Sequence, residues 1–502
     1  MSTSVSNLLK SSLISLAATF ISLAAGFASS IIAARLLGPA GSGKVAYALW
    51  VATSAAALAD MGLPQTLLRN AGGLAGDGNA WKALVRTALR SFLISVGMIG
   101  TGIILFAVIT YAQRDAQHAW FWLITGLLFL SYAFHVFSTA VARGRNRFSQ
   151  TARTTLLGGA MQIPLVFLGA WLLGPTGALI GYIARYLPQA LKLRGYIDPT
   201  IKYSREALSP EMLRYGRYIW FSDLIEILIL SRIEFLFLGV FVSPTSIGYF
   251  AAGLGLASLI EQIMLQISPA LIVNFTEVHA RGNQQALDAA YGRVIRIVAL
   301  IMLPISMGGA IIMPELLPLI FGDAFEPAVP VAVTLLAFVW LAGMSVIPWG
   351  IISASGHSAI LLRVQITSAI ATILLLTVLV PSLGLEGAAL ARAVIVTLTF
   401  ALLGWMAWKY VQVAVPVAAL AKTILAAILC AGAASLGVYM LNGLPALLSA
   451  IPTGAITYML AIRFLRLITP EDAQILMATA GGKLPNVSRF IAGRLLNFLA
   501  PG

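Results

Sequence analysis

Between Tyr215 and Pro244 the chain reads YGRYIWFSDLIEILILSRIEFLFLGVFVSP, a run apolar enough to cross a bilayer that still carries Asp223, Glu226, Arg232 and Glu234. A membrane helix needs roughly 20 mainly apolar residues. Each charge near its centre costs about 2.5–3.5 kcal/mol on insertion scales, so four facing lipid would cost on the order of 10 kcal/mol. They must therefore face protein or water. At about 100° per residue, Asp223 and Glu234 fall within about 20° of each other, Glu226 about 60° away and Arg232 on the opposite side. One acidic face then looks into an interior, and Arg232 needs a partner on another helix. Two chemistries fit: buried structural ion pairs, or ionisable groups lining a water-filled path.

The elements that would hold these charges follow from composition. Of the 502 residues 59% are hydrophobic and only 10% charged, with a mean hydropathy of +0.92. A water-soluble domain could not carry that balance without large exposed apolar patches. The expected fold class is an all-α polytopic membrane protein with about 14 transmembrane helices. Hydropathy places spans 1–6 at 12–34, 45–67, 89–111, 119–141, 155–173 and 176–191. Spans 7 and 8 fall at 216–242 and 246–273, spans 9–12 at 295–320, 330–352, 361–380 and 387–408, and spans 13 and 14 at 417–440 and 444–462. Residues 1–194 hold the first six spans, 195–212 form a polar linker, 213–411 hold the next six, 412–466 the last two, and 467–502 a tail. Span 1 is too long for a signal-peptide core and follows only Lys10, so it reads as retained.

The net charge of +14 would suggest nucleic acid in a soluble chain. Here the Lys and Arg lie almost entirely in the even-numbered loops and the two termini; the odd loops hold only Arg35, Lys44 and Arg114. By the positive-inside rule both termini are then cytoplasmic, and the charge reports topology rather than nucleic-acid binding.

The two halves resemble each other. Pro39-x-x-x-Gly43 is followed by Pro64, and Pro244-x-x-x-Gly248 by Pro269, an offset of 205 residues; Gly174-Pro-Thr-Gly177 and Gly384-Leu-Glu-Gly387 are offset by 210. With six spans in each unit, the repeats lie the same way up. Superposed, Asp60 and Glu261 sit four residues apart on one helix face, and Arg185 and Arg392 three apart. Each half thus offers one intramembrane carboxylate and one intramembrane arginine. Paired arginines suit an anion such as a pyrophosphate, which the guanidinium fork matches; equally, they could neutralise the acids.

Other signals are weaker. Gly38–Val45, GPAGSGKV, falls one residue short of a phosphate-binding loop, lacks the Ser/Thr hydroxyl and sits between membrane spans, so it reads as a tight turn. His135 reads as a hydrogen-bonded core residue. With four scattered His, one cysteine (Cys430) and short loops, no catalytic constellation, disulfide or metal site is expected. In the tail, Val487, Phe490, Ile491, Leu495 and Phe498 recur at helical spacing beside Arg489 and Arg494, the pattern of an amphipathic surface helix, with a disordered tail as the alternative.

Several stretches together resemble a known family: 34–69 (ARLLGPAGSGKVAYALWVATSAAALADMGLPQTLLR), 238–254 (LGVFVSPTSIGYFAAGL), 321–328 (FGDAFEPA), 352–358 (ISASGHS) and 384–394 (GLEGAALARAV). The chain is similar, over about residues 12–411, to the polysaccharide flippases of the multidrug/oligosaccharidyl-lipid/polysaccharide exporter superfamily. The resemblance implies two six-helix lobes in a V around a cavity, with two further C-terminal helices. It implies movement of undecaprenyl-pyrophosphate-linked oligosaccharide repeat units between leaflets of a bacterial inner membrane. The expected form is a monomer among membrane lipids that can associate with polysaccharide polymerase machinery. It also implies that cavity cations, here Arg185, Arg232, Arg392, Arg35 and Arg69, meet the pyrophosphate and sugar acids. Acidic residues, here Asp60, Asp223, Glu226, Glu234 and Glu261, would couple transport to protons or sodium; no cofactor is implied. The acidic face of span 7 is heavier than that family's cationic cavity suggests. Two rivals remain: an organic-cation antiporter of the same superfamily, which would use those acids to bind drugs and lack spans 13 and 14, and a membrane-embedded polymerase or ligase, which would need a large periplasmic loop with Arg and His.

Overall fold

The structure, a computed structural model, describes residues 2–74, 76–113, 115–201, 203–468 and 499. Among them helices carry the architecture and no strand occurs. The amphipathic pattern at 487–498 and the loop residue Arg114 lie outside the described residues. Among the described residues ten helical segments are long and apolar enough to cross a membrane, and the chain is a multi-pass membrane protein. Three of these segments, Ala17–Asp60, Phe148–Tyr196 and Ser358–Val411, each hold two of the expected spans. The joints are Gly38, Gly174 and Gly384, with φ of 65°, 63° and 56°. A right-handed helix cannot pass through positive φ, and glycine takes it without a Cβ penalty. Pro39 and Pro175 then supply a pre-set φ for the next helix start.

The chain divides into two compact units, Met1–Ala251 and Ala252–Gly502. The first contains α1 (Ser2–Asp60), α2 (Leu63–Asn70), α3 (Gly78–Ala112), α4 (Ala116–Gly144), α5 (Phe148–Lys192), α6 (Pro210–Leu224), α7 (Glu234–Phe241) and the start of α8 (Pro244–Ala280). Asp77 caps α3 by accepting from the Asn79 and Ala80 amides at 3.0 Å, and Asp115 caps α4 by accepting from His118 N–H at 2.9 Å. The arms of α5 fold back on each other. A Cβ on Gly177 would fall 2.0 Å from the Gly169 carbonyl oxygen, one on Gly181 2.4 Å from Val166, and one on Gly158 2.0 Å from the Arg185 carbonyl oxygen. In lipid no hydrophobic force drives helices together, so this backbone-to-backbone approach through small residues supplies the packing. The core centres on Phe92, Phe129, Phe137, Leu84 and Trp81, with Phe92 stacked on Phe137 at 4.6 Å.

Two expected spans in this unit need correction. Span 2 was expected over 45–67. It instead starts directly at Pro39 and stops at Asp60, because Met61 and Gly62 take φ of 51° and 70° and Pro64 opens the separate α2. Residues 39–44 are helical, so no phosphate-cradling loop exists there. Span 7 was expected as one helix; it is α6, a wide-turned π segment over Ile225–Ser231, a break at Arg232 (φ −153°, ψ 26°), and α7. The 100° arithmetic that placed Asp223, Glu226 and Glu234 on one face therefore fails across the break.

The second unit continues α8 and adds α9 (Gln284–Phe321), α10 (Val329–Ala354), α11 (Ser358–Met406), α12 (Val417–Met440) and α13 (Gly443–Phe464). The arms of α11 repeat the α5 hairpin: a Cβ on Gly387 would lie 2.0 Å from the Leu379 carbonyl oxygen, and the Ser368 and Thr399 hydroxyls meet at 3.0 Å. Polar ties bind the last two helices and their approach to α9, among them the Tyr458 hydroxyl donating to the Leu300 carbonyl at 2.8 Å. Gln284 donates to the Val411 carbonyl at 2.7 Å, Asp288 accepts from Ala414 N–H at 2.8 Å, and Glu315 accepts from Gly443 N–H at 2.6 Å.

Candidate substrate and ion sites

Arg185 sits on the second arm of α5, and two glycines make its place. A Cβ on Gly26 would come within 2.7 Å of its Nη1, and Gly158 lies against its carbonyl oxygen. Nη1 donates to Gln162 Oε1 at 3.1 Å, and Nη2 donates to Ser22 Oγ at 2.8 Å. Every hydrogen-bond partner of this guanidinium among the described residues is neutral. One turn on, Gln189 accepts from Thr154 at 2.6 Å and donates to Ser138 at 3.1 Å, which fixes the arm against α4 and the first arm of α5. His135 packs in the core with its ring 5.2 Å from that of Tyr186, and its buried Nδ1 has no hydrogen-bond partner among the described residues.

The counterpart in the second unit is arranged differently. Arg392 Nη2 stands 3.9 Å from Glu261 Oε2, with side-chain exposures of 14% and 30%. Leu254, Leu335, Phe338 and Val339 wall the pair round a cavity of about 20 Å³, room for about one water. Of the two sequence alternatives, neutralisation by an acid therefore operates at Arg392, whereas neutral groups hold Arg185.

Asp60 closes α1, and its Oδ1 accepts from Gly62 N–H at 2.8 Å. Asp223 Oδ2 accepts from Gln65 Nε2 at 3.3 Å, and Trp220 donates to the Ala57 carbonyl at 2.9 Å, tying α6 to α1. The two carboxylates lie close enough to repel each other. Neither forms an ion pair among the described residues.

The remaining candidates differ in exposure. Glu234 is buried, at 2% exposure, while Glu226 and Arg232 are exposed. Arg69 is stacked on the Tyr215 ring at 3.9 Å. Arg35 is exposed near the Gly38 joint, thirteen residues, or about 20 Å of helix, beyond the Ser22 that anchors Arg185. Arg35 thus stands well apart along α1 from the turn that holds Arg185. Sequence reading missed Ser22, Gln162 and Gln65, polar residues whose only signal was an uncharged hydrogen-bonding side chain inside or beside an apolar span.

The linker is pinned rather than loose. Lys82 Nζ meets Asp198 Oδ2 at 2.9 Å, Thr87 donates to the Ser204 carbonyl at 2.9 Å, and Arg90 lies over the Tyr203 ring at 4.4 Å. The Thr200 hydroxyl first, and Lys82 second, hold the Asp198 carboxyl well below the usual carboxylate range.

This helical arrangement recurs among solved structures. It is similar to the solved "Lipid II flippase MurJ, inward closed conformation", with a TM-score of 0.74 at 12% identity, covering 90% of this chain and 98% of that one. It is also similar to an inward-facing multidrug resistance MATE family transporter of the MOP superfamily, with a TM-score of 0.62 at 15% identity over 80% of this chain and 98% of that one. At such identities the likeness concerns the fold. No curated protein matches in sequence. The family described as "Polysaccharide biosynthesis protein" matches residues 32–330, more than half of the chain, and the chain belongs to that family. The expected all-α membrane fold and the family are met; the helices that could span number ten among the described residues, three of them jointed, rather than fourteen separate ones.

Proposed function

We propose that this protein is a flippase that moves undecaprenyl-pyrophosphate-linked oligosaccharide repeat units from the cytoplasmic to the periplasmic leaflet, for surface polysaccharide synthesis. The observation that carries this is Arg185, a cation within an apolar bundle whose hydrogen-bond partners among the described residues are all neutral. Such a charge is costly at membrane depth unless an anion joins it, and its planar fork suits a pyrophosphate. A sugar pyrophosphate cannot cross about 30 Å of hydrocarbon unaided. A polar path through the protein, opened to each side in turn, would carry the head while the lipid tail stays in the bilayer. Both termini are cytoplasmic in this reading, the protein works as a monomer in the inner membrane, and a polymerase receives the product.

Coupling to protons or sodium is assigned to Asp60 and Asp223, two carboxylates that repel each other and lack an ion pair among the described residues. A cation taken up there would favour whichever arrangement brings them together. The same pair supports the second reading, an organic-cation antiporter. In cells lacking their own copy, Arg185→Ala should abolish surface polysaccharide at normal protein levels, and Arg185→Lys should restore it partly. Full polysaccharide with Arg185→Ala refutes the role of Arg185. Resistance to cationic drugs without any effect on polysaccharide would favour the antiporter.

A further inference from the structure

A cavity of about 360 Å³ opens in the first unit, away from Arg185. It is framed by the start of α4, the residues after the Gly38 and Gly174 joints, and the approach to α8. These are all ends of odd-numbered loops. From Pro175 at its rim to Arg185 is ten residues along one helical arm, about 15 Å. The two places are therefore separate.

One wall is aromatic. Tyr47 and Trp122 meet edge to face, with centroids 6.4 Å apart and planes at 84°. Phe106 braces Trp122 from behind at 5.0 Å. Tyr47 lies against the bare backbone of Gly239, where a Cβ would come within 2.6 Å of its ring. The facing groups are polar and mixed: the Lys44 ammonium, the Gln117 amide, and His118 Nδ1 with Asp115 Oδ2 at 2.7 Å.

A membrane-interface aromatic belt would turn its rings outward to lipid headgroups, and Trp120, 62% exposed, is open to the surroundings in that way. Trp122 and Tyr47 instead line a cavity that also holds donors and acceptors. That combination discriminates among ligands. A phosphate wants donors only, and Asp115 opposes it. An organic cation is opposed by Lys44, and an acyl chain leaves all four polar groups without a use. A sugar ring uses everything present: its C–H face packs on aromatic rings, and its hydroxyls both donate and accept. The volume lies at the small end of ligand pockets, the size of a short saccharide rather than of a lipid carrier.

We propose that this cavity is a saccharide-binding subsite, in which Tyr47 and Trp122 stack on a sugar ring while Lys44, Gln117 and the His118–Asp115 pair bind its hydroxyls. The proposal rests on the flippase reading for its cargo: the subsite holds the glycan on the odd-loop face while the pyrophosphate is handled elsewhere.

The test is saturation-transfer NMR on the full protein in nanodiscs. The probe is the soluble oligosaccharide freed by mild acid from the lipid-linked pool of the cells that express the protein. The parent should saturate the sugar C–H protons, with no loss on adding inorganic pyrophosphate or in Arg185→Ala. Trp122→Ala and Tyr47→Ala should each weaken binding roughly 3- to 10-fold. Lys44→Gln and Gln117→Ala, at exposed positions that do not carry the fold, should weaken it in the same direction. They keep the test decisive where an aromatic variant fails to fold. Equal saturation in the parent, Lys44→Gln and Gln117→Ala overturns the subsite, as does displacement by pyrophosphate or loss in Arg185→Ala. If the sugar binds this way but lipid-linked oligosaccharide is not translocated, the flippase reading fails and the saccharide site stands. Translocation without Lys44-, Gln117- or ring-dependent binding removes the subsite alone.

Discussion

Substituting Gly43 or Gly248 by alanine should force α1 and α8 apart where they cross. The repeated Pro-x-x-x-Gly segments pack on each other reciprocally. A Cβ on Gly43 would fall 1.9 Å from the Pro244 carbonyl oxygen, and one on Gly248 2.0 Å from that of Pro39. Reaching an ordinary contact of 3.4 Å requires an opening of about 1.5 Å. Both neighbours are backbone, so no side chain can swing away. Overpacking of this kind costs about 1–3 kcal/mol, which shifts the equilibrium between touching and parted helices by roughly 5- to 150-fold. The two substitutions share one displacement, so the double variant should cost less than the sum. Spin labels at Ala40→Cys and Ser243→Cys, both exposed, in a Cys430→Ala background would report the two populations by EPR. Gly97→Ala, where a Cβ meets nothing within 4 Å, serves as control. An interspin distribution for Gly43→Ala and Gly248→Ala that matches the control would refute the reasoning.

Neutralising the repelling carboxylates, as Asp60→Asn with Asp223→Asn, should leave cargo binding intact but remove the response of transport to an imposed pH or sodium gradient; a parent-like response would return these groups to a structural role. The linker contact should depend on pH with a definite sign. Because the folded Asp198 carboxyl titrates below its ordinary range, its contribution is complete above about pH 4 and fades only as pH falls below that. Amide exchange around 198–204, corrected for intrinsic rates, should therefore be flat from pH 8 to about 5 and faster at neutral pH in Asp198→Asn, whereas identical exchange in parent and variant would count against the clamp. A reporter enzyme active only after export, fused at Gly502, should be silent, and clear activity would overturn the assigned topology.

Much of the fold was legible because membrane helices obey few rules. Hydropathy found the apolar segments, and the Gly-x-x-Gly repeats marked both hairpins. The structure gives those glycines matching work: Gly174 and Gly384 take positive φ, while Gly177 and Gly387 let the arms touch. The Pro-x-x-x-Gly repeat was legible as symmetry, but its reciprocal packing was not, since a repeat does not say that its copies meet. The break at 225–232 left no mark because residues 217–238 contain neither Gly nor Pro, and helical-wheel arithmetic presumes an unbroken α-helix. Arg185 and Arg392 matched in register yet differ in partners. Ser22, Gln162 and Glu261 come from different turns and helices, and spacing along one strand of sequence cannot choose among them.

The central claim is tested most directly in proteoliposomes that contain this protein alone and undecaprenyl-pyrophosphate-linked oligosaccharide labelled in one leaflet. The account predicts that the sugar becomes accessible to an impermeant glycan-modifying enzyme on the opposite side, at a rate that an imposed cation gradient raises and Arg185→Ala abolishes. A rate equal to that of protein-free liposomes, under any gradient, would contradict it.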